Sequence, residues 1–356
     1  MNDAEREFWR GRRVLLTGHT GFKGAWLALW LQSLGAEVTG LSVGVPTQPS
    51  FFELAQVGDG MRSISGSVCD AEAVDTAIDD AAPEVVIHMA AQPLVRRSLH
   101  EPLETFQTNV MGTVHVLDAV RLSGNDVRAV VVVTSDKCYE PREWDWGYRE
   151  DDRLGGADPY SSSKACAELV TSAFRRSFFS DSRRIGVASA RAGNVIGGGD
   201  WGADRLVPDV MRAALDQSEV HVRNPASIRP WQHVLNPLSG YLALARALCE
   251  SPAFGDGWNF GPPDADARPV SWVVERLCQL WPAQLRWSED DGPHPAETRS
   301  LRLDSSRARL RLGWRPLVSL DAALESVVEW YRCLREESDM RAVSLAQIER
   351  FTARAP

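Results

Sequence analysis

Arg13-Val14-Leu15-Leu16-Thr17, then Gly18-His19-Thr20-Gly21-Phe22-Lys23-Gly24, then an apolar run from Ala25 to Leu34, is the stretch that decides the fold. Residues 12–17 read as a first strand, and the glycine loop leads from it into a helix. In a GxxGxxG loop the glycines permit the tight turn. They also let backbone N–H groups come close to a pyrophosphate at the helix N-terminus. Gly18, Thr20, Gly21, Phe22 and Gly24 are therefore candidate dinucleotide contacts. The bland alternative, a plain strand–turn–helix with glycines for packing, has to account for all three elements in the right order.

Working outward, Gly35 closes the helix and residues 36–43 form a second strand. An acidic residue at that strand's end would hold the adenosine ribose of NAD. The chain has Leu41-Ser42-Val43-Gly44 there and no nearby arginine cluster for a 2′-phosphate, so this position does not choose between NAD and NADP. Ser65 to Asp70 ends a third strand, and Asp70 contacts adenine or caps the next helix, two roles that are compatible. Residues 84–88 form a fourth strand. It leads into Met89-Ala90-Ala91-Gln92, where small residues let a cofactor lie close. Thr105 to Val120 reads as a helix with Asn109 and Gly112 on it. Asn109 is chiefly a core amide, with a proton relay near a lysine as the alternative. Ala129 to Val133 and Arg184 to Ala190 are the fifth and sixth strands.

This alternation predicts the α/β class, a doubly wound parallel sheet of Rossmann type. Residues 1–195 form the NAD-binding domain. After 196 glycines, prolines and tryptophans multiply, and residues 196–356 read as a smaller, mainly substrate-binding portion, with some segments returning to the large domain.

Length and composition narrow the function. The chain has 356 residues, 44% of them apolar, enough for a large core. A net charge of −9 argues against nucleic acid as a partner, and an anionic substrate must be met by a local arginine cluster. Ala25 to Leu31 is too short to span a bilayer, and the acidic Met1 to Glu5 start is not that of a signal peptide. Six scattered cysteines without a CxxC pair, and seven histidines without HxxxH or HExxH, point to a reducing cytoplasm and no metal.

The chemistry lies in Thr134-Ser135-Asp136-Lys137-Cys138-Tyr139, at the end of the fifth strand, and in Tyr160-Ser161-Ser162-Ser163-Lys164. Tyr160 and Lys164 are four apart, so on a helix they share one face. An ammonium beside a phenol lowers the phenol's pKa, which suits a general base. Asp158-Pro159 marks the start of this helix. Alone, YxxxK is weak evidence. Lys164 and Glu168 could be a surface pair, Tyr160 a packing aromatic, and Asp136-Lys137 a solvated turn. All being bland together, behind the glycine loop, is improbable.

The glycine loop, Ala90-Ala91-Gln92, YxxxK and Arg191-Ala192-Gly193-Asn194-Val195 resemble, in that order, the extended short-chain dehydrogenase/reductase family. Within it the chain most resembles the CDP-glucose 4,6-dehydratases. The selective stretches are Ser135-Asp136-Lys137-Cys138-Tyr139 and Arg229-Pro230-Trp231-Gln232-His233-Val234. The resemblance implies NAD as cofactor and a redox cycle on a nucleotide-linked glucose: oxidation at C4, loss of water across C5–C6, and reduction at C6. It implies that Tyr160 takes the 4-OH proton, with Lys164 beside it, and that Ser135 bonds the 4-oxygen. Asp136 protonates the departing 6-OH. Lys137 acts on the C5 proton as a neutral base, or stabilises the enolate by charge. Asn109, Ala90, Ala91, Gln92 and Asp70 fall on the cofactor side. For the substrate, Arg223 and Arg229 suit a diphosphate, Asn194 joins them, and Arg205 and Trp201 line the nucleotide pocket. His294 and Glu297 are further candidates. Relatives dimerise through two helices per subunit, here those of Thr105 and Tyr160. The chain departs from the family's pattern at Gly44, where an Asp is usual nearby, and at Ala296, where the family has His before Glu. A 4-epimerase would share Tyr160 and Lys164 without needing Asp136 and Lys137. A dinucleotide sensor would need only the glycine loop.

Overall fold

The structure, a computed structural model, describes residues 3–179, 185–290, 292 and 300–354. Six strands follow one another as β1 (Arg13–Thr17), β2 (Glu37–Ser42), β3 (Arg62–Ser65), β4 (Val85–His88), β5 (Ala129–Val133) and β6 (Gly186–Arg191). They join a seventh, Gly257–Asn259, in one sheet ordered β3-β2-β1-β4-β5-β6-seventh. Every pairing in it is parallel. The order reverses at β1, between β2 and β4, and ligands of such sheets bind at the carboxyl ends beside that reversal.

Period-two alternation sends side chains to both faces, and both are covered. Leu15, Val86, Val130 and Val132 pack with Val74, Ile78, Val116 and Leu117 of the Ala71–Ala81 and Gly112–Leu122 helices. Val14, Leu16, Ile87, Val131 and Val133 face the other way, into a larger core with Trp26, Leu29, Leu238 and Trp330. The Phe22–Ser33 helix is buried from Gly24 through Leu31. It has no polar face because it lies between the sheet and helices from the far end of the chain. Trp26 donates to the Gly198 carbonyl at 2.9 Å, and Trp30 meets Phe351 edge-on.

The doubly wound sheet stands as expected, with one addition. Its seventh strand, Gly257–Asn259, comes from the second half of the chain, as does the Leu235–Glu250 helix packed on β5 and β6. The expected helix over residues 105–120 is also more broken than its apolar pattern suggests. Pro102–Phe106 widens into a π-type turn at Gln107–Met111 before Gly112–Leu122. Asn109 sits in that wide turn, a feature often found near functional sites.

Candidate active site

A cavity of about 620 Å³ opens at the carboxyl ends of β1, β4, β5 and β6. Its wall combines Phe22 and Lys23 of the glycine loop, Ala91, the Thr134–Lys137 turn, Tyr160 and Lys164, and Asn194, Arg205, Arg223 and Arg229 from later in the chain. That size suits a small-molecule ligand.

The three loop glycines have different reasons to be glycine. Gly18 has φ +73°, and a Cβ there would lie 2.7 Å from Ala90 N. At Gly24 a Cβ would lie 2.1 Å from the Gly18 carbonyl oxygen. Both are demanded by the fold. At Gly21 a Cβ would meet only that same oxygen, at an ordinary 3.4 Å, so packing leaves the position free. Gly21 is also the N-cap of the Phe22–Ser33 helix and makes no side-chain cap, leaving first-turn N–H groups for a ligand. An open glycine before uncapped N–H groups fits a dinucleotide's diphosphate. Thr20 ties the loop to β2, sharing a 2.7 Å hydrogen bond with Ser42 Oγ and donating to the Gly44 carbonyl at 2.5 Å.

The Pro159–Phe178 helix begins where Asp158-Pro159 predicts, with Asp158 Oδ1 accepting from Ser161 N at 2.9 Å. Tyr160 and Lys164 are both buried on its inner face. Lys164 Nζ donates to the Val133 carbonyl at 3.3 Å. Burial lowers the Lys164 ammonium to about 8, against the pull of Glu168. Burial pushes the Tyr160 phenol up to about 12, opposed first by Ser135. The expected lowering by Lys164 does not appear: the groups that oppose burial of the phenol are Ser135 and Arg205, and desolvation of the phenolate exceeds their help. In the turn, Ser135 Oγ donates to Asp136 Oδ1 at 3.0 Å and accepts from Lys137 N at 3.2 Å. Asp136 Oδ2 is buried without a hydrogen-bond partner. It fills the space that Gly193 leaves open, since a Cβ there would stand 1.7 Å away.

Among the expected nucleotide contacts, Arg205 Nη1 pairs with Asp200 at 3.0 Å, and Arg223 Nη1 bonds Asp204 at 3.2 Å. Asp204 also accepts from Arg96 at 3.3 Å. Arg229 is buried and donates to the Ile228 carbonyl. Asn194 lines the same cavity with φ +46°. Trp201 does not join them; it packs edge-on against Tyr331 at 5.2 Å. Asp70 serves as a cap, accepting from Glu72 N at 3.0 Å and Ala73 N at 3.4 Å. The Asn109 amide is a core brace, bonding both Gln92 backbone groups and Ser163 Oγ. Gln92 turns its own side chain to Leu94 and Thr105. His294 and Glu297 lie outside the described residues.

Sequence reasoning missed three features. Lys23 reaches the cavity from the glycine loop, and burial with Lys164 and Arg205 nearby lowers its ammonium to about 7. A lysine at the start of an otherwise apolar helix was the available signal. The His19 ring occupies the space beside Gly40, where a Cβ would lie 2.2 Å from it. Glu168 is not a surface partner of Lys164 but is buried against Arg191 at 2.7 Å.

The sequence pattern of the NAD dependent epimerase/dehydratase family matches residues 14–257. A CDP-glucose 4,6-dehydratase of Salmonella typhimurium is 50% identical over 352 residues, 98% of each chain. A dTDP-glucose 4,6-dehydratase of Streptomyces griseus is 28% identical, covering 89% of this chain and 93% of its own. Among solved structures, UDP-glucose 4-epimerase of Thermotoga maritima superposes with a TM-score of 0.78 at 21% identity, over 90% of this chain and 99% of that one. MoeE5 in complex with UDP-glucuronic acid and NAD gives 0.75 at 25%, over 90% and 98%.

Proposed function

The chain belongs to the NAD dependent epimerase/dehydratase family, and on that premise we propose that it is a CDP-glucose 4,6-dehydratase. It converts CDP-glucose to the 4-keto-6-deoxy sugar nucleotide. The observation that carries this reading is the meeting, in one cavity, of Tyr160 and Lys164 with Asp136 and Lys137. A 4-epimerase needs the first pair, and elimination of water needs the second as well. Bound NAD supplies the hydride acceptor for C4 and the donor for C6.

The chain's own residues handle the protons and hold the sugar. Tyr160 takes the 4-OH proton, and Ser135 bonds the same oxygen. With C4 a ketone, the C5 proton becomes acidic. Lys137 meets it there, as the amine that removes it or as the cation that steadies the enolate while water takes the proton. Asp136 gives its proton to the 6-OH, which leaves as water. Arg205, Arg223, Arg229 and Asn194 hold the nucleotide end, and residues after 196 form most of that subsite. Incubation with CDP-glucose is expected to give the alkali-induced absorbance of a 4-keto product, with deuterium at C5 when run in D2O. No product from any glucose nucleotide would end this reading. Product without C5 exchange would turn it to 4-epimerisation.

The enzyme works as a homodimer. Leu103, on the Pro102–Phe106 helix, is 78% exposed, and Leu169, on the Pro159–Phe178 helix, is 59% exposed. Phe106 and Phe178 on the same neighbouring helices, and Met111 on the Gln107–Met111 turn, are further exposed apolar side chains. So much uncovered apolar surface on two adjacent helices suits a second copy. Sedimentation of the wild type should give twice the chain mass, and Leu103→Glu with Leu169→Glu should shift it to one. A wild-type monomer would remove the dimer. The six cysteines are all free thiols, consistent with the cytoplasm, and among the described residues no helix is long and apolar enough to cross a membrane.

A further inference from the structure

The catalytic turn is held at both ends by one buried ion pair to which the reaction gives no role. Glu168 and Arg191 are each about 4% exposed, and their charged atoms are 2.7 Å apart. Thr134, just before the turn, donates its hydroxyl to Glu168 Oε1 at 2.5 Å. Tyr139, just after it, accepts at its hydroxyl from Arg191 Nη1 at 2.7 Å and donates to Asn259 Oδ1 at 2.7 Å. The second Glu168 oxygen also accepts from Ser189 at 2.6 Å. Only Ser135, Asp136, Lys137 and Cys138 lie between the two tethers.

We propose that Glu168 and Arg191 are a positioning pair for the elimination half of the reaction, fixing Asp136 and Lys137 against the far end of the sugar. This rests on the dehydratase reading above. The base of the oxidation and the groups of the elimination have separate anchors, although Ser135, on the 4-oxygen, shares the turn. Tyr160 and Lys164 are set by other contacts: the Asp158 cap, the bond from Tyr160 N to Ser98 Oγ, and the Lys164 bond to the Val133 carbonyl. Asp136 and Lys137 depend on the turn and its ends, with one further bond from Gly155 N to the Cys138 carbonyl at 2.9 Å. Arg191 also leads along the chain to Gly193, whose missing side chain makes room for the Asp136 carboxylate. Burial alone would raise the Glu168 carboxyl. Arg191, with the hydrogen bonds from Arg191, Ser189 and Thr134, holds it below the usual range instead. The pair is therefore a fixed charge rather than a titrating one. A tether of this kind matters because small misplacement of a reacting group costs rate steeply.

The test uses isosteric variants at each end of the turn, Tyr139→Phe and Thr134→Val, beside Glu168→Gln. Each protein is assayed with its bound NAD on CDP-glucose carrying deuterium at C4 or at C5. Each end variant should lower kcat by about 10- to 100-fold with KM nearly unchanged. The isotope effect from C5 should rise and that from C4 should fall toward unity, because elimination becomes the slow step. A merely structural role would reduce the number of active molecules and leave both isotope effects at wild-type values. That result, or full activity in both end variants, overturns the proposal. If Glu168→Gln fails to fold, the two end variants still decide. A wild type inactive on CDP-glucose would instead overturn the function, and this inference with it.

Discussion

Tyr160→Phe is expected to lower kcat on CDP-glucose by about 10³-fold, within the usual span for loss of a general base. KM and the melting temperature should change little. The substitution removes one oxygen from a buried ring whose backbone N–H is already bonded to Ser98 Oγ at 3.2 Å. The helix start is held by Asp158 rather than by the phenol. The size of the loss follows from the task. C4 of the sugar gives up hydride only as its hydroxyl proton departs, and on the proposed mechanism the phenol is the acceptor. In the protein alone burial pushes that phenol up to about 12. kcat should therefore rise with pH until the phenol in the complex has lost its proton. Steady-state rates across pH check both points. A Tyr160→Phe protein within tenfold of wild type would remove Tyr160 as the base.

Asp136→Asn should lower product formation by about 10²–10³-fold while exchange at C5 continues. The two side chains have the same shape, and the niche opposite Gly193 accepts either. On the proposed mechanism, what is lost is the proton for the departing 6-OH. The Asp136 Oδ2 is buried without a hydrogen-bond partner, and the residue lines the cavity. Unreacted CDP-glucose recovered from D2O should then carry deuterium at C5, and the ratio of exchange to product should rise at least tenfold. An equal fall in exchange and product would move Asp136 out of the acid role, into setting up the first oxidation.

The parts of this enzyme that were legible in its sequence are those where local pattern and chemistry coincide. The glycine loop between a strand and an apolar helix, the short β-branched runs, and Asp158-Pro159 ahead of Tyr160 each carry their own signal. What was hidden depends on which elements become neighbours. Glu168 reads as a surface partner for Lys164 until β6 is laid beside the Pro159–Phe178 helix, which brings Arg191 to it. Gly193 reads as a loop glycine until Asp136 is seen filling its space. Trp201 is drawn to Tyr331, on a helix more than a hundred residues further along. The split in the helix around Asn109 could not be read from a pattern that stays apolar throughout.

The strand Gly257–Asn259 has a consequence for anyone who would use the cofactor half by itself. A chain cut after residue 195 would leave β6 with an open row of N–H and C=O groups. It would also lose the Leu235–Glu250 helix that covers β5 and β6. Bare edges of this kind recruit other chains. The first 195 residues are thus not a transferable module. Chimeras that swap sugar specificity between relatives should carry this strand and this helix with the cofactor half.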